Sequence, residues 1–338
     1  MSDKALLQIH HIKKYFDIPG KGALHAVDDV SFDIMPNETV GLVGESGCGK
    51  STVGNVLMRL HDATAGEALL DGKDLLRIGA KDLRDMRKEI QMIFQDPYSS
   101  LNPRQTVSAI LSKPFIIHKI LKGNALKERV RELANTVGLE PYTLSLFPHE
   151  LDGGRRQMVG IARALALNPK FIVCDEPVSS LDVSVQATII NLLISLREKM
   201  NLSYLFISHD LSVVRHITHR VAVMYLGQII EFADTDAIFA NTLHPYSIAL
   251  LSAVPAVEFA RMKKRIVLQG DVPSPLNPKP GCRFAPRCWM SCAKSEECRS
   301  KDPPLVKVGN AQAEHYVRCH HWQEAQKEAA LVERQSKG

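Results

Sequence analysis

No uninterrupted apolar run in the 338 residues approaches the roughly 18 needed to cross a bilayer. If the chain works at a membrane, other chains supply the spanning helices. Met1-Ser2-Asp3-Lys4 shows no basic-then-apolar leader pattern, so the chain is expected to stay in the cytoplasm. Charge of one sign is lacking too: 42 Lys and Arg nearly balance 37 Asp and Glu, with no dense basic run. That balance gives no electrostatic footprint for nucleic acid, and no nucleic-acid partner is expected. There is no internal repeat and no low-complexity tract before the last residues, which read as a charged helix or a frayed tail. No Cys-x-x-Cys pair occurs, which disfavours zinc-finger spacing.

What is present has the rhythm of an α/β protein. Leu7, Ile9 and Ile12, then Val27, Val30, Phe32 and Ile34, alternate with the period of antiparallel strands. Residues 38–44 read as a buried strand running into a Gly-rich turn, with a helix from Lys50. From Asp74 to Leu165 the pattern is mostly helical, punctuated by Pro97, Pro103, Pro114 and Pro148. Residues 171–174 and 204–208 are short apolar runs of the kind found in parallel strands, and residues 186–200 read as the crossover helix between them. Strand–helix–strand alternation predicts a sheet with helices on both faces. After Pro245 prolines crowd together and cysteines appear. The boundary is therefore set there, giving a domain at 1–245, with a helical subdomain at about 96–165, and an extension at 246–338.

Several residue sets carry chemistry. Gly44-Glu45-Ser46-Gly47-Cys48-Gly49-Lys50-Ser51-Thr52 fits the phosphate loop G-x-x-x-x-G-K-S, the Walker A pattern. Its glycines let successive N–H groups point inward at phosphate oxygens, and the following helix adds its dipole. Lys50 is placed to reach the β- and γ-phosphates and Ser51 to bind Mg²⁺, while Cys48 fills a slot set by the backbone. The apolar run Phe171-Ile172-Val173-Cys174 ends in Asp175-Glu176, a Walker B strand. There Asp175 is suited to hold Mg²⁺ and Glu176 to polarise the attacking water, since phosphoryl transfer asks mainly for positioning and charge neutralisation. His209 closes a second strand and is suited to hydrogen-bond the γ-phosphate. Cys282, Cys288, Cys292, Cys298 and Cys319 crowd the tail. In a cytosolic protein that reads as a metal or redox site before a disulfide framework. The separations suit zinc or an iron–sulfur cluster, with unligated thiols as the alternative.

Taken together these residues resemble the ABC ATPases, over nearly the whole chain. Ile93-Phe94-Gln95-Asp96-Pro97 is similar to that family's Q-loop, Ser180-Leu181-Asp182 to its D-loop, and His209 to its switch histidine. Leu151-Asp152-Gly153-Gly154-Arg155 stands where the signature L-S-G-G-Q belongs. Tyr15 matches the aromatic that stacks on adenine, with Phe16 as the alternative. The resemblance implies a P-loop NTPase (RecA-like) core with an antiparallel β subdomain and a helical signature subdomain. It implies ATP and Mg²⁺ as cofactors, with Gln95 joining Ser51 and Asp175 at the metal. It also implies two cassettes closing head to tail, so that Asp152, Gly153, Gly154 and Arg155 face the ATP of the opposite chain.

Narrower matches point to the dipeptide, oligopeptide and nickel permeases. They are residues 98–104 after the Q-loop, residues 176–186, His244-Pro245-Tyr246 and Gly270-Asp271-Val272-Pro273-Ser274-Pro275. This resemblance implies an ATPase subunit of an importer, peripheral at the cytoplasmic face of the membrane. Its implied partners are a paralogous ATPase (a heterodimer), two membrane permease subunits and an extracytoplasmic solute-binding protein. Di- and oligopeptides lead as solute, and nickel chelates, glutathione-like molecules and oligosaccharides stay open. A soluble ABC ATPase fits less well, because the chain holds one cassette and no heptad run splits it. The subfamily also implies a [4Fe–4S] site on Cys282, Cys288, Cys298 and Cys319, with Cys292 as rival ligand and zinc as the other metal.

The signature departs from the family pattern. Asp152 stands where a serine donates to the γ-phosphate, and like charges at about 4 Å repel by roughly 1 kcal/mol in water and several times that in a partly dry site. One reading is a heterodimer in which the ATP facing Asp152 is hydrolysed poorly. The other is that Asp152 merely caps its helix.

Overall fold

The computed structural model describes residues 4–253, 265–290, 295–308 and 314–335. Its strands are β1 (Leu7–Ile18), β2 (Gly22–Ile34), β3 (Thr39–Val43), β4 (Ala65–Leu70), β5 (Lys73–Asp74), β6 (Ile90–Ile93), β7 (Phe171–Asp175), β8 (Ser203–Ser208), β9 (Arg220–Tyr225), β10 (Gln228–Asp234), β11 (Val306–Val308) and β12 (His315–Val317). The helices are α1 (Lys50–Leu57), α2 (Ala80–Glu89), α3 (Pro97–Ser100), α4 (Val107–Ile117), α5 (Gly123–Thr136), α6 (Gly153–Leu165), α7 (Val183–Met200), α8 (Leu211–Ile217), α9 (Thr235–Ala240), α10 (Pro245–Ser252), α11 (Glu296–Ser300) and α12 (Trp322–Gln335). The chain divides into two compact units, one formed by 1–6, 34–39 and 77–208, the other by 7–33, 40–76 and 209–338.

In the first unit β6, β7 and β8 pair in parallel, in the register Ile90↔Phe171 and Phe171↔Ser203. Every residue of β7 and β8 is buried, as expected of parallel strands covered on both faces. Fully burying Phe171, Ile172 or Phe206 is worth about 1.5–3 kcal/mol each. α4, α5 and α6 pack on one another, and α6 also contacts β6 and α7. Helices α3 to α6 fall between residues 97 and 165. The stretch from Asp74 to Leu165 is less uniformly helical than its pattern predicts, because Ile90-Gln91-Met92-Ile93 is a strand. It is too short for a period of two to stand out against the helix before it.

In the second unit β2, β1, β4 and β5 form an antiparallel sheet in that order, as the alternation of Leu7, Ile9 and Ile12 predicts. A second set runs β11-β12-β10-β9-β3, with β3 and β9 parallel and the rest antiparallel. The residues after 245 fall in this same unit, with β12 lying along β10. Leu243, Val308 and Val317 share a small core with Cys319 and Trp322, and Ile248, Met290, Ala325 and Ala329 share another. Residues Trp322–Gln335 form α12. Glu231 on β10 is fully buried and accepts hydrogen bonds from Leu243 N–H at 2.7 Å and His244 N–H at 2.9 Å, with His315 Nε2 of β12 at 2.8 Å.

The turn from β3 into α1 depends on glycine at two places. Gly44 has φ +153 and Gly49 φ +107, values that L side chains rarely adopt. A Cβ on Gly44 would fall 2.2 Å from the Met224 carbonyl oxygen, and one on Gly49 would fall 2.1 Å from that of Ala26. Both obstacles are backbone and cannot rotate away. Gly49→Ala is therefore expected to lower unfolding stability by on the order of 3 kcal/mol, read as a lower thermal midpoint with faster hydrogen exchange at residues 44–52. An unchanged midpoint would contradict this account of the turn.

Candidate functional site

The phosphate loop is built by β3, which is wholly buried, and by α1, which starts at Lys50 with Gly49 as its N-cap. Lys50 is 5% exposed. Its Nζ donates to the carbonyls of Gly44 at 2.8 Å and Glu45 at 3.0 Å, and lies 3.8 Å from Cys48 Sγ. Ser46 and Gly47 are exposed at the tip, and Ser51 and Thr52 are half-buried in the first turn of α1. Such a helix start collects free N–H groups and the positive end of the dipole, which together favour a polyanion. Burial pushes the Cys48 thiol up, against the pull of Lys50, and fits a residue that fills space.

Tyr15 lies on β1. Its ring stacks on His25 at 3.8 Å, and its hydroxyl donates to Asp28. Burial raises the Tyr15 pKa, and the bond to Asp28 adds to it. Phe16 instead meets His61 edge-on at 5.4 Å, with Lys14 Nζ 4.6 Å from its ring centre. His209 follows β8 directly and is exposed, next to Asp210, which caps α8 by accepting from Ser212 N–H at 2.9 Å.

In the first unit β7 delivers Asp175, 7% exposed, at its C-terminal end. Glu176 follows with φ +45, a left-handed conformation that a non-glycine residue holds only where its surroundings impose it. Its N–H donates to Ile207 O at 2.9 Å. Its carboxylate accepts from Gln95 Nε2 at 3.0 Å. The structure thus brings together Gln95 and Glu176, 81 residues apart. The positive φ at Glu176 was not visible in the sequence, since no residue type marks it. The turn that follows is fixed by Gln186, whose Nε2 donates to Val178 O at 3.1 Å and Leu181 O at 2.9 Å.

Asp152 is the N-cap of α6: its Oδ1 accepts from Arg155 N–H at 2.8 Å, and its Oδ2 lies 3.6 Å from Arg155 Nε. Side chains at the next two positions would press on neighbours, at 3.1 Å from Leu181 for Gly153 and 2.7 Å from Val185 for Gly154. Arg156 turns back to donate to Pro148 O at 2.7 Å.

Cys282, Cys288, Cys298 and Cys319 line one small recess, with His244, His320 and His321. None is in a disulfide, and Cys282 N–H donates to Cys298 O at 2.8 Å. Burial, then the neighbouring thiols Cys282, Cys288 and Cys298, push Cys319 up to about 12. Burial also raises Cys282. Among the described residues no group of three or more His, Cys, Asp or Glu side chains is arranged to hold a metal ion. Cys292 lies outside the described residues.

The model of the ABC transporter family matches residues 27–179, and that of the oligopeptide/dipeptide transporter C-terminal region matches residues 230–298. The chain is 47% identical over 328 residues to the oligopeptide transport ATP-binding protein AppF of Bacillus subtilis, covering 94% of this chain and 98% of that one. It is 47% identical over 314 residues to the oligopeptide transport ATP-binding protein OppF of Salmonella typhimurium, covering 89% and 93%. Among solved structures, the ATP-binding cassette MJ0796 in a dimeric post-hydrolysis state with ADP and Pi matches with TM-score 0.62 and 27% identity, over 68% of this chain and 98% of that one. CbiO1 of Clostridium perfringens matches in fold, with TM-score 0.64 at 22% identity, over 77% and 97%. No described helix is long and apolar enough to cross a membrane. With a glycine-locked phosphate loop, a strand-end acid pair and relatives aligned along almost its whole length, the chain belongs to the ABC transporter family, as an ATP-binding subunit that carries the oligopeptide/dipeptide transporter C-terminal region.

Proposed function

We propose that this chain is one of two paralogous ATPases powering import of di- and oligopeptides, as a peripheral subunit at the cytoplasmic face of the membrane. Two separate permease subunits and an extracytoplasmic binding protein supply the path and choose the cargo. The similarity to AppF and OppF supports peptides over nickel chelates, glutathione or oligosaccharides. The observation that carries the ATPase assignment is the Gln95–Glu176 hydrogen bond beside the end of β7.

The residues divide the work as follows. Gly44, Ser46, Gly47, Cys48 and Gly49 present backbone N–H groups to the phosphates, Lys50 adds its cation, and Thr52 extends the cradle into α1. Tyr15, its ring fixed by His25 and Asp28, offers a stacking surface for adenine. Ser51, Gln95 and Asp175 are the donors that would hold Mg²⁺, which supplies charge neutralisation on the β- and γ-phosphates. Glu176, kept in place through its own backbone turn and Gln95, orients the water, and His209 hydrogen-bonds the transferring group. The dimeric state of the MJ0796 cassette supports pairing of two cassettes. In such a pair Asp152, Gly153, Gly154 and Arg155 meet the partner's ATP. The Asp152 carboxylate is a built-in anion at the head of α6, so the partner's ATP is the slower of the two.

The tail is proposed to hold a [4Fe–4S] cluster on Cys282, Cys288, Cys298 and Cys319. Their shared recess supports it, because such clusters are held by four cysteine sulfurs brought to one place.

Three measurements test this reading. In the assembled complex Glu176→Gln is expected to cut ATP turnover about 10²-fold or more, with loss of labelled-peptide uptake. Retained uptake overturns the assignment of Glu176, and uptake of a non-peptide solute alone overturns the cargo. Asp152→Ser is expected to raise turnover per complex about fivefold, the equivalent of roughly 1 kcal/mol. An unchanged rate reduces Asp152 to a helix cap. Anaerobically purified chain is expected to carry about four iron and four sulfide ions, lost in Cys298→Ser and retained in Cys292→Ser. Zinc in their place, or the reverse pattern, overturns the ligand set.

A further inference from the structure

Glu45 adds a negative charge to the phosphate loop, where a polyanion is meant to sit. The structure shows what offsets it. Arg287 of the C-terminal extension, 8% exposed, meets Glu45 in a two-pronged pair, Nη1 to Oε2 at 2.7 Å and Nη2 to Oε1 at 3.1 Å. The Glu45 N–H donates to the Tyr246 hydroxyl of α10 at 2.9 Å, and the Glu45 carbonyl accepts from Lys50. Glu45 is therefore held by the extension on its side chain and its amide, and by Lys50 on its carbonyl. The hydrogen bond to Glu45 keeps the Arg287 guanidinium firmly charged.

A second arginine does the same for the aromatic platform. Arg283, also 8% exposed, pairs with Asp28 and donates to Leu226 O. Asp28 in turn accepts from the Tyr15 hydroxyl. Burial works to raise the Asp28 pKa, but the Tyr15 bond and the Arg283 charge outweigh it and hold Asp28 below the ordinary carboxylate value. Arg283 follows Cys282 and Arg287 precedes Cys288. One short segment thus connects the thiol recess at its two ends with the phosphate loop and the Tyr15 platform through its two arginines.

We infer that Arg283 and Arg287 are positioning residues for the nucleotide: the extension completes the ATP site by neutralising Glu45 and bracing Asp28. This inference rests on the reading of the chain as an ATP-binding subunit. Without Arg287 the Glu45 carboxylate stands uncompensated beside the incoming phosphates, and affinity falls while the hydrolytic groups stay in place. Charge-assisted two-pronged pairs are the strong end of such contacts.

The test uses the full-length chain and Mg-ATP, with affinity from titration calorimetry and KM and kcat from the assembled complex. Arg287→Gln is expected to raise the ATP Kd and KM about tenfold, a change of about 1.4 kcal/mol, and to leave kcat within about twofold. Glu45→Gln in the same chain is expected to restore affinity, because it removes the charge that Arg287 neutralised. A purely structural strap behaves differently: Glu45→Gln then weakens binding by itself and rescues nothing. Should Arg287→Gln fail to fold, Glu45→Gln alone still decides, since the inference expects it to bind ATP at least as tightly as the parent. Parent-like affinity in Arg287→Gln, or failure of the rescue, overturns the inference. A parent chain that binds no Mg-ATP would instead overturn the ATPase reading.

Discussion

The site depends on a backbone that has no room for side chains. Between β3 and α1 the chain turns through Gly44 and Gly49 against the carbonyls of Met224 and Ala26. Those carbonyls belong to β9 and β2, so the loop is pressed between two strands that the sequence places far apart. Everything proposed for phosphate binding follows from this packing. α1 begins where the dipole is useful, and Lys50 is tied to the loop's own carbonyls at 2.8 and 3.0 Å. A looser loop would have to lose conformational entropy at each binding event.

The acid pair is built by a different device. β7 is buried throughout, and its last residues come out at a strand end where charge is tolerated. Glu176 then leaves the strand in a left-handed turn pinned by Ile207 O. That turn points the carboxylate at Gln95, so a residue whose own conformation is unfavourable is held by hydrogen bonds on both its backbone and its side chain. Strain retained at such a place is consistent with a group that must not rotate away from its task.

Much of this was legible in the residues. The phosphate loop is a contiguous pattern, β7 and β8 are largely apolar runs, and β1 alternates at Leu7 and Ile9 before its register shifts between His10 and Lys13, so local physics spoke for most of it. What escaped was either short or distant. β6 has four residues next to a helix, and β11 and β12 have three each, below the length at which a period declares itself. Glu45 and Arg287 are 242 residues apart and Asp28 and Arg283 are 255 apart. No spacing rule connects such pairs; only the fold does. The cysteines were readable as a group, but the shared recess of Cys282, Cys288, Cys298 and Cys319 is again a product of tertiary packing.

Glu231 ties β10 to β12 and to the start of α10. Its fully buried carboxylate is satisfied by two amides that lead into α10 and by His315 on β12. A chain ended at residue 245 would keep those amides but lose His315 and the strand that shields Glu231, leaving a buried charge short of a partner, which is among the costlier defects a fold can carry. The cassette and its extension are therefore not interchangeable parts.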